Sequence, residues 1–260
     1  MRKLNIFLWF GFPISMKERF KLIKAVGFDG VLLWWNDEYA DVDGTKYHHP
    51  ELARRNGLFI ENMHTPIIQN NCLWEDNIKG KDFEEILLDC INDCKRFEIP
   101  TAVVHITYGD NPPPYNQIGL DRIKRLVEVA EKKNVNIALE NLQRPDYLDF
   151  VFANIHSNRL GFCYDSGHEN CYTKGTEFLS QYGSKLMALH LHDNDGTDDQ
   201  HLIPGEGSID WGVVKKKLNE TKYSGAIALE VTNEFSHCSE KKNPETFLKR
   251  AFESGGTVLG

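Results

Sequence analysis

Short apolar runs return along the whole chain with amphipathic stretches between them: Leu4–Phe10, Gly30–Trp34, Leu58–His64, Thr101–Ile106, Asn136–Glu140, Leu160–Asp165, Leu186–His190 and Ala226–Val231. Runs of this length bounded by turn residues read as strands. The stretches between them include Met16–Ala25, Asp82–Glu98, Ile118–Lys133, Thr176–Tyr182, Trp211–Thr221 and Glu245–Glu253, and they read as helices because their apolar residues fall three or four apart. Unbroken segments such as Ile137-Ala138-Leu139 and Ala226-Ile227-Ala228-Leu229 suit strands buried on both faces, which is the condition of a parallel sheet. Strand–helix alternation with right-handed crossovers leaves an open doubly wound sheet or a closed barrel. Eight strands with no Gly-rich phosphate turn after the first predict a (β/α)8 TIM barrel, and 260 residues suffice for one such domain.

Composition adds exclusions. A net charge of −8 disfavours a general nucleic-acid or anionic-membrane binder. No apolar run approaches the ~20 residues of a membrane span, and the first ten residues read as a strand rather than a signal peptide. Cys72, Cys90, Cys94, Cys163, Cys171 and Cys238 contain no CxxC pair, so reduced thiols in a cytoplasmic protein are expected. Cys90 and Cys94, one helical turn apart, read as packing residues. Asn111-Pro112-Pro113-Pro114 reads as a rigid loop and not a boundary, so residues 1–260 are expected to form a single domain.

Chemistry in this architecture sits where strands end, at the C-terminal face. Four successive runs close on a polar residue: Glu140, Asp165, His190 and Glu230. Three carboxylates gathered at an apolar mouth repel one another until protons or a cation neutralise them, and a divalent cation does so best. One imidazole among oxygen ligands suits Mn2+, Mg2+ or Co2+, with Zn2+ as the alternative. His64 and His105 fall at the ends of the third and fourth runs, His168 follows Asp165 by three positions, and Asp199 and His201 lie in the long loop after the seventh. Each is a candidate substrate-binding residue or additional metal ligand. His48, His49, His156 and His237 lack such placement and read as surface or capping residues. Trp9, Phe10, Trp34, Trp35 and Trp74 fall near early strand ends, where they wall a sugar pocket or fill the barrel top. Arg144, just beyond Glu140, either binds a terminal hydroxyl or phosphate of a substrate or sits in a surface ion pair.

Several motifs carry a resemblance: Ile137-Ala138-Leu139-Glu140-Asn141, Tyr164-Asp165-Ser166-Gly167-His168, His190-Leu191-His192-Asp193-Asn194-Asp195, Pro204-Gly205-Glu206-Gly207-Ser208-Ile209-Asp210-Trp211 and Ala228-Leu229-Glu230. From His64 onward the chain resembles the xylose isomerase-like barrel superfamily of sugar isomerases and epimerases, inosose dehydratases and family 2 apurinic/apyrimidinic endonucleases. The epimerase branch implies one metal on Glu140, Asp165, His190 and Glu230, with the two glutamates doubling as proton-transfer groups and His168 binding substrate. The endonuclease branch implies a three-zinc cluster that adds His64, His105, His168, Asp199 and His201.

The loops favour the first branch. Duplex DNA is met by Lys and Arg, yet Asn36–Tyr47 sets Asp37, Glu38, Asp41 and Asp43 against Lys46 alone. Leu191–Asp210 holds six acidic residues, Asp193, Asp195, Asp198, Asp199, Glu206 and Asp210, and no Lys or Arg. A small sugar, cyclitol or other polyol is therefore the expected partner rather than nucleic acid. The resembling families also make a homo-oligomer an expectation. The expected reaction is a metal-dependent isomerisation or epimerisation in which Glu140 and Glu230 exchange a proton beside a chelated carbonyl. A multi-zinc phosphodiester hydrolase and an inosose dehydratase-like lyase are the alternatives.

Overall fold

A computed structural model describes residues 2–37, 40, 44–234 and 243–259. Its eight parallel strands are β1 Leu4–Phe7, β2 Gly30–Trp34, β3 Phe59–His64, β4 Thr101–Val104, β5 Asn136–Glu140, β6 Leu160–Asp165, β7 Leu186–His190 and β8 Ile227–Leu229. Each pairs with its sequence neighbour from β1 to β7, and β1 also pairs with β8. The remaining seam, between β7 and β8, is held by a single bridge: Leu191 N donates to Ala228 O at 2.9 Å and Glu230 N to Leu191 O at 3.0 Å. The result is the (β/α)8 barrel read from the sequence, nearly closed.

The helices of the described residues are α1 Met16–Val26, α2 His49–Arg55, α3 Ile78–Arg96, α4 Gln117–Lys133, α5 Asp146–Asn154, α6 Ser166–Tyr172, α7 Phe178–Tyr182, α8 Trp211–Glu220 and α9 Pro244–Leu259. Side-chain caps fix the starts of the long ones: Asn77 accepts from Gly80 N at 2.9 Å and Asn116 from Gly119 N at 3.1 Å. The Asn77 cap sets α3 one turn earlier than its apolar spacing suggests. Gly119 is dictated by packing, since a Cβ there would lie 2.1 Å from the Trp74 ring. The caps and apolar stripes place Phe20, Phe83, Ile91, Leu126 and Leu248 against the outer barrel wall. Cys90 and Cys94 are buried on α3, as packing residues.

Several strands end sooner than their apolar runs. Trp9, His105 and Glu230 follow β1, β4 and β8 and stand around the mouth just beyond the strands. Side chains two residues apart on a strand share a face. The small interior group of Val103, Ala138, Cys163 and Ala188 therefore lies directly beneath His105, Glu140, Asp165 and His190 and forms an apolar floor for them. Trp35 and Trp74, 1% and 2% exposed, belong to the core, as does Phe10. Among the described residues no helix is long and apolar enough to cross a membrane.

Candidate metal centre and active site

Glu140, Asp165, His190 and Glu230 converge at the mouth. Each is buried, and each offers one ligand atom within 4.8 Å of every other. His190 Nδ1 sits between the two glutamates, 3.1 Å from Glu140 Oε1 and 3.2 Å from Glu230 Oε2. Asn141 ties β5 to β6 at this level: its Nδ2 donates to Asp165 O and its Oδ1 accepts from Asp165 N, both at 2.8 Å. Asp165 caps α6 by accepting from His168 N at 2.6 Å. It is thus a helix cap and a member of the carboxylate cluster at once.

The other histidines surround this group. His105 Nε2 lies 3.0 Å and His64 Nε2 3.4 Å from Glu140 Oε2. His168 Nε2 and His201 Nε2 stand 3.2 and 3.3 Å from Asp199 Oδ2. Three of these rings have their other nitrogen on a backbone carbonyl: His64 Nδ1 on Thr65 O at 2.7 Å, His168 Nδ1 on Asn141 O at 2.9 Å and His201 Nδ1 on Glu230 O at 2.7 Å. A carbonyl accepts only from N–H, so Nδ1 carries the proton and the Nε2 position faces carboxylate. A bare lone pair aimed at an anion is repulsive unless the ring is protonated or a cation lies between. Metal-ligating histidines are oriented in this way. The donor set therefore fits a divalent cation.

Without a cation, protons do the neutralising. Burial disfavours charge on His190, but Cys163, Glu230 and Glu140 around it outweigh that and hold its pKa well above the ordinary value. Burial likewise opposes the charged form of His201, yet Asp199 lifts it to about 10. Burial would raise Glu230, whereas His190 beside it brings the carboxyl down to about 2. Glu140 is pulled well below its usual range by His190 and His105 against the same burial. His105 is lowered by burial, Glu140 notwithstanding. A cation taking His190 as a ligand would displace the proton that the surrounding acidic groups favour on it, so uptake would release protons and its apparent affinity would rise with pH. Calorimetric titrations in buffers of different ionisation enthalpy should show release of about one proton or more per ion.

The site opens into a cavity of about 420 Å3. Glu140, Glu230, His64, His105, His168, Asp199 and His201 reach it, and Trp9 and Trp34 wall it. Trp34 stands 5.1 Å from the His64 ring, and Trp9 Nε1 donates to Glu234 Oε1 at 3.1 Å. Arg144 is elsewhere: it does not line the cavity and is paired with Asp146 at 2.7 Å, the surface ion pair of its two readings. Sequence reasoning missed His49. It is 4% exposed, starts α2 and lines the cavity, although its position far beyond a strand end read as surface. His237, Cys238, Glu38, Asp41 and Asp43 lie outside the described residues. Lys46 pairs with Asp37 at 3.3 Å, so the one cation of that loop is engaged.

Asp193, counted among the acidic residues of the Leu191–Asp210 loop, is instead a buried structural residue. Its Oδ1 accepts from Asn194 N and Ile209 N, and its Oδ2 from Gly205 N and Trp211 Nε1, at 2.8 to 3.1 Å. Wholly buried, it folds the loop that presents Asp199 and His201. Asp193→Ala would leave two buried donors, Asn194 N and Trp211 Nε1, and two part-buried ones, Gly205 N and Ile209 N, without their acceptor and should cost about 3 kcal/mol, read by denaturant unfolding.

Residues 20–251 match the family model described as xylose isomerase-like TIM barrel. An uncharacterised protein of Methanocaldococcus jannaschii is 31% identical over 57% of this chain, and the match spans 58% of that protein's own length. Bacillus velezensis inosose isomerase is 26% identical over 94% of this chain and 92% of its own. The probable endonuclease 4 of Mycoplasma mycoides is 29% identical over 62% and 64%. Among solved structures, the IOLI protein with a bound zinc atom superposes with a TM-score of 0.78 at 19% identity, over 99% of this chain and 98% of that one.

Proposed function

Since the chain belongs to the xylose isomerase-like TIM barrel family, we propose that it is a metal-dependent isomerase or epimerase of a small, unphosphorylated sugar or cyclitol, acting by proton transfer beside a carbonyl. The observation that carries this reading is the buried Glu140–Asp165–His190–Glu230 set opening into an aromatic-walled cavity of about 420 Å3. That volume suits a small ligand. The one Lys or Arg among the described lining residues, Arg19, is turned to its own chain, with Nη2 donating to Phe12 O and Ile14 O at 3.2 and 3.0 Å. A phosphate group would meet acidic side chains there instead of a cationic partner.

Glu140, Asp165, His190 and Glu230 would hold the ion, which when bound supplies Lewis-acid polarisation of the substrate carbonyl. The two glutamates differ in their surroundings. Glu140 is clasped by His64, His105 and His190, whereas Glu230 contacts His190 alone among them and is the more exposed of the two. Glu230 is therefore assigned as the group that takes the substrate proton, with Glu140 as the partner that returns one. Trp9 and Trp34 would pack on the C–H faces of the sugar, and His168 would orient a hydroxyl. The same first step serves a dehydratase.

A multi-metal hydrolase has specific support in the imidazoles around Glu140 and Asp199. The test is a panel incubated with metal-loaded protein in D2O: unphosphorylated ketoses and inososes, their phosphates, and abasic duplex DNA. Deuterium is expected beside the carbonyl of a neutral member, with at least tenfold lower kcat/KM for its phosphate. Nicking of the DNA without exchange into any sugar would overturn the reading.

A further inference from the structure

Below the carboxylate cluster one side of the barrel lumen is polar. Asn62 and His64 are two residues apart on β3, so Asn62 faces the lumen beneath His64, level with the floor of Val103, Ala138, Cys163 and Ala188. Asn5 precedes Phe7 by two on β1, and Phe7 reaches the cavity at the mouth, so Asn5 shares that inward face one layer down. Both asparagines are wholly buried. Barrel interiors are ordinarily filled by bulky branched side chains, whereas Ala138, Cys163 and Ala188 are short.

Glu61 closes the lower end. The β2–β3 register skips it, Val31 pairing with Ile60 and Leu32 with Asn62, so Glu61 is the extra residue of a bulge, a device that re-aims a side chain. It reaches across to the start of β8. Its Oε1 accepts from Tyr223 Oη at 2.9 Å and Ala226 N at 3.2 Å, and its Oε2 accepts from Asn5 Nδ2. An ionised carboxylate only accepts, so Asn5 must turn its Nδ2 to Glu61 and its Oδ1 to the lumen.

Four buried atoms here meet no protein hydrogen-bond partner among the described residues: Asn62 Nδ2, Asn62 Oδ1, Asn5 Oδ1 and His190 Nε2. His190 Nδ1 is turned to the two glutamates, and Nε2 lies on the other edge of the ring. Cys163 stands beside that ring, but a thiol is a weak acceptor. Burial raises the carboxyl pKa of Glu61 against its hydrogen bonds and against the charge of His190, which is near enough to be felt there. Buried polar atoms in native proteins are paired by protein or by ordered water, and water settles where several of them share one chamber.

We infer that ordered water in the barrel lumen joins His190 Nε2 to Asn62 and Asn5, which makes Asn62 and Glu61 positioning residues for the imidazole that would hold the ion. With Nδ1 on a cation, a neutral ring carries its proton on Nε2, and a ligating histidine is oriented by the acceptor this N–H finds. Water accepts it and donates onward to Asn62 Oδ1 and Asn5 Oδ1. Glu61 sets the direction of the relay by holding the Asn5 amide one way round. The consequence for the ion rests on the metal reading of the primary site, and the water does not.

High-resolution crystallography of the full-length, metal-free protein should show water density within hydrogen-bond reach of both His190 Nε2 and Asn62. Zn2+-loaded protein labelled with 15N in histidine should give a slowly exchanging proton on His190 Nε2 with a cross-peak to bound water. A lumen without density between these residues, or an Nε2 proton donated to Cys163 or another protein group, would overturn the inference. Asn62→Leu removes both amide groups at similar volume and should weaken Co2+ uptake roughly tenfold. Glu61→Gln, at the opposite end of the barrel from the ion, should weaken it about threefold or more and move the same His190 resonance, which a merely structural carboxylate would leave in place. Metal-free melting curves report whether each variant folds, and the two wild-type arms need neither. Uptake within about twofold of wild type and an unmoved resonance in both variants would remove the positioning role. If wild type takes up no ion, the primary metal reading fails, and the density in the lumen still decides the water.

Discussion

Glu230→Gln is expected to lower the rate of deuterium incorporation into substrate by about 10^3-fold or more, with KM changed by less than about fivefold. The amide keeps the shape and one donor–acceptor pair but cannot take a proton, so the loss falls on kcat. Glu140→Gln should cost a comparable factor and also weaken metal uptake, because its carboxylate is a shared partner of His64, His105 and His190. Since Glu230 would also hold the ion, both variants are compared at saturating metal, where loss of proton transfer is what remains. Single-turnover exchange together with metal analysis makes the comparison. Equal loss of kcat with full metal content in Glu230→Gln supports its assignment, and an exchange rate within tenfold of wild type sinks it.

Chelation should have the second largest effect. Activity is expected to fall to background and to return on adding back Mn2+ or Co2+. Stability should fall as well: an ion present at 1,000 times its Kd contributes about 4 kcal/mol, which for a chain of this size is a melting shift on the order of 10 °C. The direction follows from Glu140, Asp165 and Glu230, buried within 4.8 Å of one another, whose mutual repulsion falls on the neighbouring imidazoles when no ion is bound. Melting curves with and without chelator, each at a fixed concentration of free ion, make the measurement. A chelated protein that keeps its exchange activity would remove the ion from the reaction.

The barrel and its mouth were legible because strand ends leave a local mark. A carboxylate in the middle of a buried run needs dedicated partners, as Glu61 of β3 has in Asn5 and Tyr223, so Glu140, Asp165 and Glu230, each closing its run, signal where the mouth begins. The short helices α2, α5 and α6 lacked such a mark. Two of them hold to seven residues, too few to establish a period, and the start of α6 is set by the Asp165 cap rather than by an apolar stripe. Arg144 was ambiguous because charge type alone does not say whether Asp146 or a ligand meets it. His49 and Asp193 were invisible for a different reason: their roles depend on where a loop returns after many residues.

The seam between β7 and β8 has a bearing on all of this. Along most of its girth the barrel is laced by backbone ladders, but here one bridge serves, and His190 and Glu230 stand on its two sides. An ion drawing both inward would act as a buckle on a hoop. The cylinder would be fastened by the same ion that prepares the substrate, and a protein that has lost its catalytic charge would also have lost part of its roundness.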